Sequence, residues 1–152
     1  MVSTAVPGGT GEGAPARILG LDYGSVRIGI AVSDPLLIIA RGLGVIENTP
    51  RAVSKIGEAV AEYSAGKIVI GMPFNLKGEV AMKAQEVGRF IEILRSTLSI
   101  EVIPWDERFT SKQAQRTLID MGVKKKKRQE KGLIDAMAAA LILQSYLDSR
   151  PR

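Results

Sequence analysis

Two apolar runs, Ile18–Leu21 and Ile28–Val32, flank a short turn built on Gly24 and Ser25. Bulky and β-branched residues fill both arms, which predicts a β-hairpin. Leu36–Ile46 is apolar again, opened by Pro35 and interrupted by Gly42 and Gly44, and predicts a third strand towards a sheet edge. Asn48-Thr49-Pro50 then marks a helix start, with Thr49 as N-cap and Pro50 at the first helical position. From there the period changes. Val53, Ile56, Val60 and Tyr63 recur at helical spacing, predicting a helix over about 50–65 that Gly66 ends.

The second half alternates strand and helix. Lys67–Gly71 is a short apolar strand of the kind buried on both faces of a parallel sheet. Met72–Gly78 is a loop, and Glu79–Leu98 a long helix with Val80, Ala84, Val87, Ile91 and Leu94 on one face. Ile100–Trp105 is the next strand. Thr110 or Ser111 caps a helix running to about Met121, which Gly122 closes. Val123–Lys131 is a basic loop, and the last helix runs from about Gly132 to Ser149. An antiparallel start followed by βαβ units gives a mixed α/β sheet with helices on its faces. Residues 17–150 form one domain, and Met1–Ala16, rich in Gly, Pro, Ser, Thr and Ala, reads as a disordered leader.

Composition then restricts the chemistry. With 152 residues, 45% hydrophobic and 24% charged, the chain suits one globular domain with a sizeable core. No apolar run is long enough to span a bilayer and no signal peptide is evident, so the cytoplasm is the expected location. Cysteine and histidine are both absent, which removes thiolate and imidazole nucleophiles, bases and metal ligands together. Any metal must be held by oxygens, which points to Mg²⁺ or Mn²⁺. The net charge of +5 favours a polyanionic partner, although so modest an excess is also common in proteins that bind nothing anionic.

Three acids stand in costly settings. Asp22 interrupts the first strand, where it is either a turn-bonding residue or a ligand placed at the centre of the fold. Glu107 follows the last strand, at the kind of sheet edge where ligands bind. Asp135 lies in the first turn of the final helix among apolar neighbours, where the helix dipole alone would also favour a negative charge. If the strand order brings them together, such a cluster is tolerated only with cations present. Two divalent ions about 4 Å apart, bridged by carboxylates, suit phosphodiester hydrolysis and need no protein base. Asp34, before Pro35, is a weaker candidate and reads as a turn residue, and Asp106 is a possible exchange partner for Glu107.

The strongest run of positive charge is Lys124, Lys125, Lys126, Lys127 and Arg128, leading into the helix that carries Asp135. It is either a solvated loop or a surface that holds phosphates beside the acids. Arg27, Arg108 and Lys112 extend the same surface, and Asn75 and Lys77 of the Gly71–Gly78 loop are placed to reach a phosphate. Gly24 and Gly29 are expected to leave room there for a phosphate backbone. With one Trp and three Phe, no base-stacking platform is indicated, so recognition would be led by the backbone.

Four stretches, in order, resemble one family: Gly20-Leu-Asp-Tyr-Gly-Ser-Val-Arg-Ile-Gly-Ile-Ala-Val-Ser-Asp34, Gly71-Met-Pro-Phe-Asn-Leu-Lys-Gly78, Asp106-Glu-Arg-Phe-Thr-Ser111 and Lys131-Gly-Leu-Ile-Asp-Ala-Met-Ala-Ala139. The family is that of the bacterial YqgF (RuvX) proteins, described as Holliday junction resolvases and as pre-16S rRNA nucleases. The resemblance runs from about Arg17 to Leu147. It implies an RNase H-like fold, a five-stranded sheet in the order 3-2-1-4-5 with strand 2 antiparallel. It further implies Asp22, Glu107 and Asp135 as the acidic triad, Mg²⁺ or Mn²⁺ as cofactor, and maturation of the 5′ end of 16S rRNA in the cytoplasm. The expected partners are pre-16S rRNA or branched DNA, with ribosomal precursor particles, and the chain would be a monomer or a homodimer.

Two other readings compete with a metal-dependent nuclease. Enzymes of the actin and sugar-kinase type also place a phosphate loop after an Asp and a Gly in a hairpin, much like Asp22-Tyr-Gly-Ser. They clamp the nucleotide between two such domains, and this chain has length for one. A non-catalytic nucleic-acid-binding assembly factor for the ribosome would use the same basic run.

Overall fold

Strand β1 (Arg17–Asp22) is the central strand of a five-stranded sheet. It pairs antiparallel with β2 (Arg27–Ser33), and Asp22 sits opposite Gly29. On its other side it pairs parallel with β4 (Ala65–Met72). β3 (Ala40–Glu47) extends the sheet antiparallel beyond β2, and β5 (Glu101–Asp106) extends it parallel beyond β4. The order is therefore β3-β2-β1-β4-β5, the RNase H-like order that the resemblance implies. The computed structural model describes residues 16–73, 79–107 and 131–151. The expected leader up to residue 15, the loop over 74–78, the helix over 111–121 and the basic loop over 123–130 lie outside the described residues.

Among the described residues three helices cover the two faces. α1 (Ala52–Tyr63) and α2 (Glu79–Leu98) pack on one side, around Leu19, Leu21, Ile56, Ile68, Ile70, Val87 and Leu94. α3 (Lys131–Ser149) lies on the other, against Ile18, Ala31 and Val69 through Ala139, Leu143 and Leu147. Successive residues of a strand point to opposite faces. The run Ile18-Leu19-Gly20-Leu21 therefore feeds both cores, which explains why β1 is apolar throughout.

The α3 face of the sheet admits no bulk. A Cβ on Gly29 would sit 2.1 Å from the Asp135 carbonyl oxygen, and one on Gly20 would sit 2.7 Å from the Leu143 Cβ. Helix and sheet backbones thus meet where side chains would normally separate them. Gly29 leaves room, as expected, but the room is filled by α3 rather than by a phosphate backbone.

Boundaries differ from expectation in three places, each for a local reason. The third strand starts at Ala40 and not at Leu36, because Asp34 folds the intervening residues into a turn. Its carboxylate accepts from the N–H groups of Leu36 (3.2 Å), Ile38 (2.7 Å) and Ile39 (2.9 Å). Leu37 takes φ 59° there, and Leu36, Ile38 and Ile39 are left exposed. Asp34 is thus the turn residue it was read as. α1 begins at Ala52, because Thr49 and Pro50 form a preceding turn in which Thr49 Oγ1 accepts from Arg51 N–H at 3.2 Å. The same helix ends at Ser64, in the left-handed region at φ 53°. Gly66 belongs to β4 instead, where a Cβ would lie 2.7 Å from that of Ala16.

Gly29→Ala is expected to destabilise the protein by about 3 kcal/mol, because a backbone carbonyl blocks the new methyl. Gly88→Ala, in α2 with nothing within 4 Å of the added carbon, should stabilise it by about 0.5–1 kcal/mol. Denaturant unfolding of the two variants checks the contrast.

Candidate functional site

The carboxyl ends of β1, β4 and β5 lie side by side, since Leu21 is level with Ile70 and Met72 with Asp106. Asp22 is the last residue of β1. Glu107 follows β5 directly and its side chain folds back over β4. A Cβ on Gly71 would sit 2.9 Å from Glu107 Oε1 and 3.0 Å from its Cγ. Gly71 is therefore the residue that lets Glu107 lie over the strand next to Asp22.

Asp135 reaches the same edge from α3, on the face where a Cβ on Gly71 would meet both Glu107 and Ile142 of that helix. α3 starts at Lys131, which puts Asp135 one full turn inside the helix and not in its first turn as expected. The dipole effect fades within that turn, so it is a weak reason for an acid here. The local reason is an ion pair. Arg27 Nε donates to Asp135 Oδ2 at 2.9 Å, with both side chains about a quarter exposed, at 28% and 27%. Arg27 was expected to serve the nucleic-acid surface, and the structure places it on an acid of the site. The pair links the start of β2 to α3, where Gly29 brings the two elements together.

Asp22 registers the crowding. Burial first, then the charges of Glu107 and Asp135, push its carboxyl up to about 6 against the opposing charge of Lys83. The site is thus an oxygen-only, negatively charged edge, suited in donor type to a hard divalent cation. Among the described residues no three acidic side chains stand close enough to share one ion, and Asp135 is turned to Arg27.

Around Asp22 the turn is fixed by residues that sequence reasoning did not single out. Asn48 Nδ2 donates to the Gly24 carbonyl at 2.8 Å, and Asn48 N–H donates to the Val26 carbonyl at 2.9 Å. The Tyr23 ring rests on Phe90 of α2, with centroids 4.9 Å apart and planes at 50°. Lys83 was also missed. It lies on α2, remote in sequence from Asp22, whose upward shift it opposes, and no local pattern marks it. Of the other expected contacts, Asn75, Lys77, Arg108, Lys112, Lys124, Lys125, Lys126, Lys127 and Arg128 lie outside the described residues. Asp106 closes β5 in register with Met72.

The folded protein holds the Asp22 proton more tightly than the unfolded chain, whose carboxyl titrates near 3.8. In the metal-free protein its contribution to stability is therefore full below about 3.8 and is lost as pH rises through about 6. Asp22→Asn should raise stability at pH 8 by up to about 3 kcal/mol and leave it unchanged near pH 3.5. Thermal unfolding across that range in a chelator checks this, and a gap independent of pH would contradict it.

The comparisons with known proteins agree with this architecture. The family model described as "RuvX: Holliday junction resolvase" matches residues 16–149. A protein of Ruminiclostridium cellulolyticum named "Putative pre-16S rRNA nuclease" is 42% identical over 135 residues, covering 87% of this chain and 94% of its own. A protein of the same name from Thermoanaerobacter pseudethanolicus is 43% identical over 137 residues, covering 88% of this chain and 97% of its own. Among solved structures, Thermus thermophilus RuvC superposes with a TM-score of 0.56 at 18% identity, covering 87% of this chain and 95% of that one. The Fowlpox virus resolvase with Holliday junction DNA gives 0.54 at 15% identity, covering 88% and 97%. These two share the fold with this chain. The extent of the family match and the identity to the curated relatives go further: the chain belongs to the RuvX family.

Proposed function

We propose that the protein is a divalent-metal-dependent nuclease that hydrolyses phosphodiester bonds of structured nucleic acid, with the 5′ region of pre-16S rRNA as its substrate. The observation that carries this reading is the meeting of Asp22, Glu107 and Asp135 at one sheet edge, in a chain without histidine or cysteine. The names of its relatives support a nuclease and favour precursor rRNA over junction DNA. Mg²⁺ or Mn²⁺ would be held by Asp22 and Glu107, with Asp135 as the third ligand once Arg27 yields it. Such an ion supplies the charge stabilisation that phosphodiester hydrolysis needs.

The chain's own residues do the rest. β1 fixes Asp22 where neighbouring acids raise its proton affinity, so a divalent cation that displaces the proton is strongly favoured there. Gly71 admits Glu107, and Arg27 aims Asp135. Asn75, Lys77, Arg108, Lys112 and the run Lys124–Arg128 hold phosphates on either side of the scissile one. No helix among the described residues is long and apolar enough to cross a membrane. The protein would act in the cytoplasm on ribosomal precursor particles.

A second reading, a non-catalytic assembly factor that binds nucleic acid, is favoured by the absence of a closed three-acid ligand group among the described residues. One experiment separates the two. Asp22→Asn, Glu107→Gln and Asp135→Asn are each expected to lower Mg²⁺- or Mn²⁺-dependent cleavage of a pre-16S rRNA fragment by at least about a hundredfold, with binding retained. Gly71→Ala, whose methyl would meet Ile142 Cδ1 at 2.6 Å and Glu107 Oε1 at 2.9 Å, should cut cleavage by at least about tenfold and also lower stability. Absence of cleavage by the wild type with any divalent ion, and binding indifferent to the three acids, would favour the assembly factor.

A further inference from the structure

A cleft of about 440 Å³ lies between the β1–β2 turn and α2, lined by Tyr23, Gly24, Ser25, Met82, Lys83 and Glu86. Its volume is within the roughly 300–1,000 Å³ typical of small-ligand sites. One of its walls is Tyr23, which follows Asp22 directly in the chain. We infer that this cleft is a nucleotide subsite flanking the scissile phosphate, with Lys83 as the residue that takes the substrate phosphate there. The inference rests on the nuclease reading for the word substrate, but not for the contact itself.

Three observations carry it. The cleft is preformed. Asn48 clamps its turn through Gly24 and Val26, and Tyr23 is braced on Phe90. An added Cβ on Gly24 would sit 2.4 Å from the Arg27 carbonyl, so the turn is too tight for another residue. A binding surface held in this way loses little freedom when a ligand arrives.

The cleft is also electrically polarised. Lys83 is exposed and forms no ion pair with any described residue, whereas Arg27 and Arg95 are both paired. Lys83 shares the α2 wall of the cleft with Glu86, a cation beside a carboxylate. A cation beside a cluster of carboxylates attracts an anion that those carboxylates would otherwise repel.

Lastly, its remaining walls suit the rest of a nucleotide. Met82 is 68% exposed and, with the Tyr23 ring, offers an apolar surface for sugar and base without hydrogen-bonded readout of sequence. Lys83 fixes position along the strand, which is the role phosphate contacts play.

The test is binding of a fluorescein-labelled single-stranded RNA oligonucleotide to the full chain in EDTA, followed by anisotropy at several salt concentrations. Lys83→Ala is expected to weaken binding roughly three- to tenfold and to reduce the slope of log K against log salt by about 0.7. Lys83→Arg should restore most of the affinity, and Ser25→Glu, a carboxylate placed at the exposed turn, should weaken binding as well. Thermal midpoints of all three variants should match the wild type, since both side chains are exposed. Where the wild type cleaves, Lys83→Ala should raise KM and leave kcat within about twofold. Unchanged affinity and salt slope in Lys83→Ala overturn the inference. So does a loss that Lys83→Arg fails to restore, or a fall in kcat at constant KM, which would mean that Lys83 acts through the Asp22 charge. If the wild type does not cleave but Lys83→Ala still weakens binding, the nuclease reading falls and the contact stands.

Discussion

The site depends on how closely α3 approaches the sheet. Backbone meets backbone at Gly29, where a Cβ would come within 2.1 Å of the Asp135 carbonyl, and a Cβ on Gly20 would come within 2.7 Å of the Leu143 Cβ. The helix answers with small residues, Ala136, Ala139 and Ala140, on its buried side. Close packing of this kind tolerates almost no added volume. Its consequence is positional. Asp135 enters the far end of the sheet, where its charge reaches Asp22 one strand away. With an ordinary helix–sheet spacing, the acid on α3 would stand off from the acid on β1.

That proximity concentrates unfavourable charge in one place. Elsewhere the buried polar groups are satisfied. Ser33 Oγ accepts from Ile18 N–H at 2.9 Å, and Gln144 bonds Ala40, Ile38 and Asp148. At the sheet edge, by contrast, Asp22 is pushed up to about 6 by burial and by Glu107. Among the described residues two cations moderate the edge, Arg27 by direct contact with Asp135 and Lys83 through space. Carboxylates held together against their own repulsion are a common mark of a functional site. In donor type the three acids suit a hard cation, since all their ligand atoms are oxygens.

Much of this was legible along the chain. Apolar runs of two periods located every described strand and helix to within a few residues, because β1, β2 and β4 bury both faces and α2 buries one. The three acids were visible because each interrupts or ends an apolar stretch. What the sequence hid were interactions between distant segments. The turn at Asp34 overrode the apolar character of Leu36–Ile39, since three N–H groups found a carboxylate nearer than a neighbouring strand. Arg27 looked like one more surface cation, and only the approach of α3, 108 residues away, pairs it with Asp135. Asn48 and Lys83 carry no local signal, because each acts on the hairpin across the fold.

The central claim is that the acidic edge is a divalent-cation site built by three separate elements. Diffraction from crystals soaked in Mn²⁺, measured at the manganese absorption edge, tests it most directly. The account predicts an anomalous peak bonded to carboxylate oxygens of Asp22 and Glu107, with Asp135 turned from Arg27 towards the ion. Full Mn²⁺ occupancy elsewhere, with Asp135 still on Arg27 and no peak at Asp22, would contradict it.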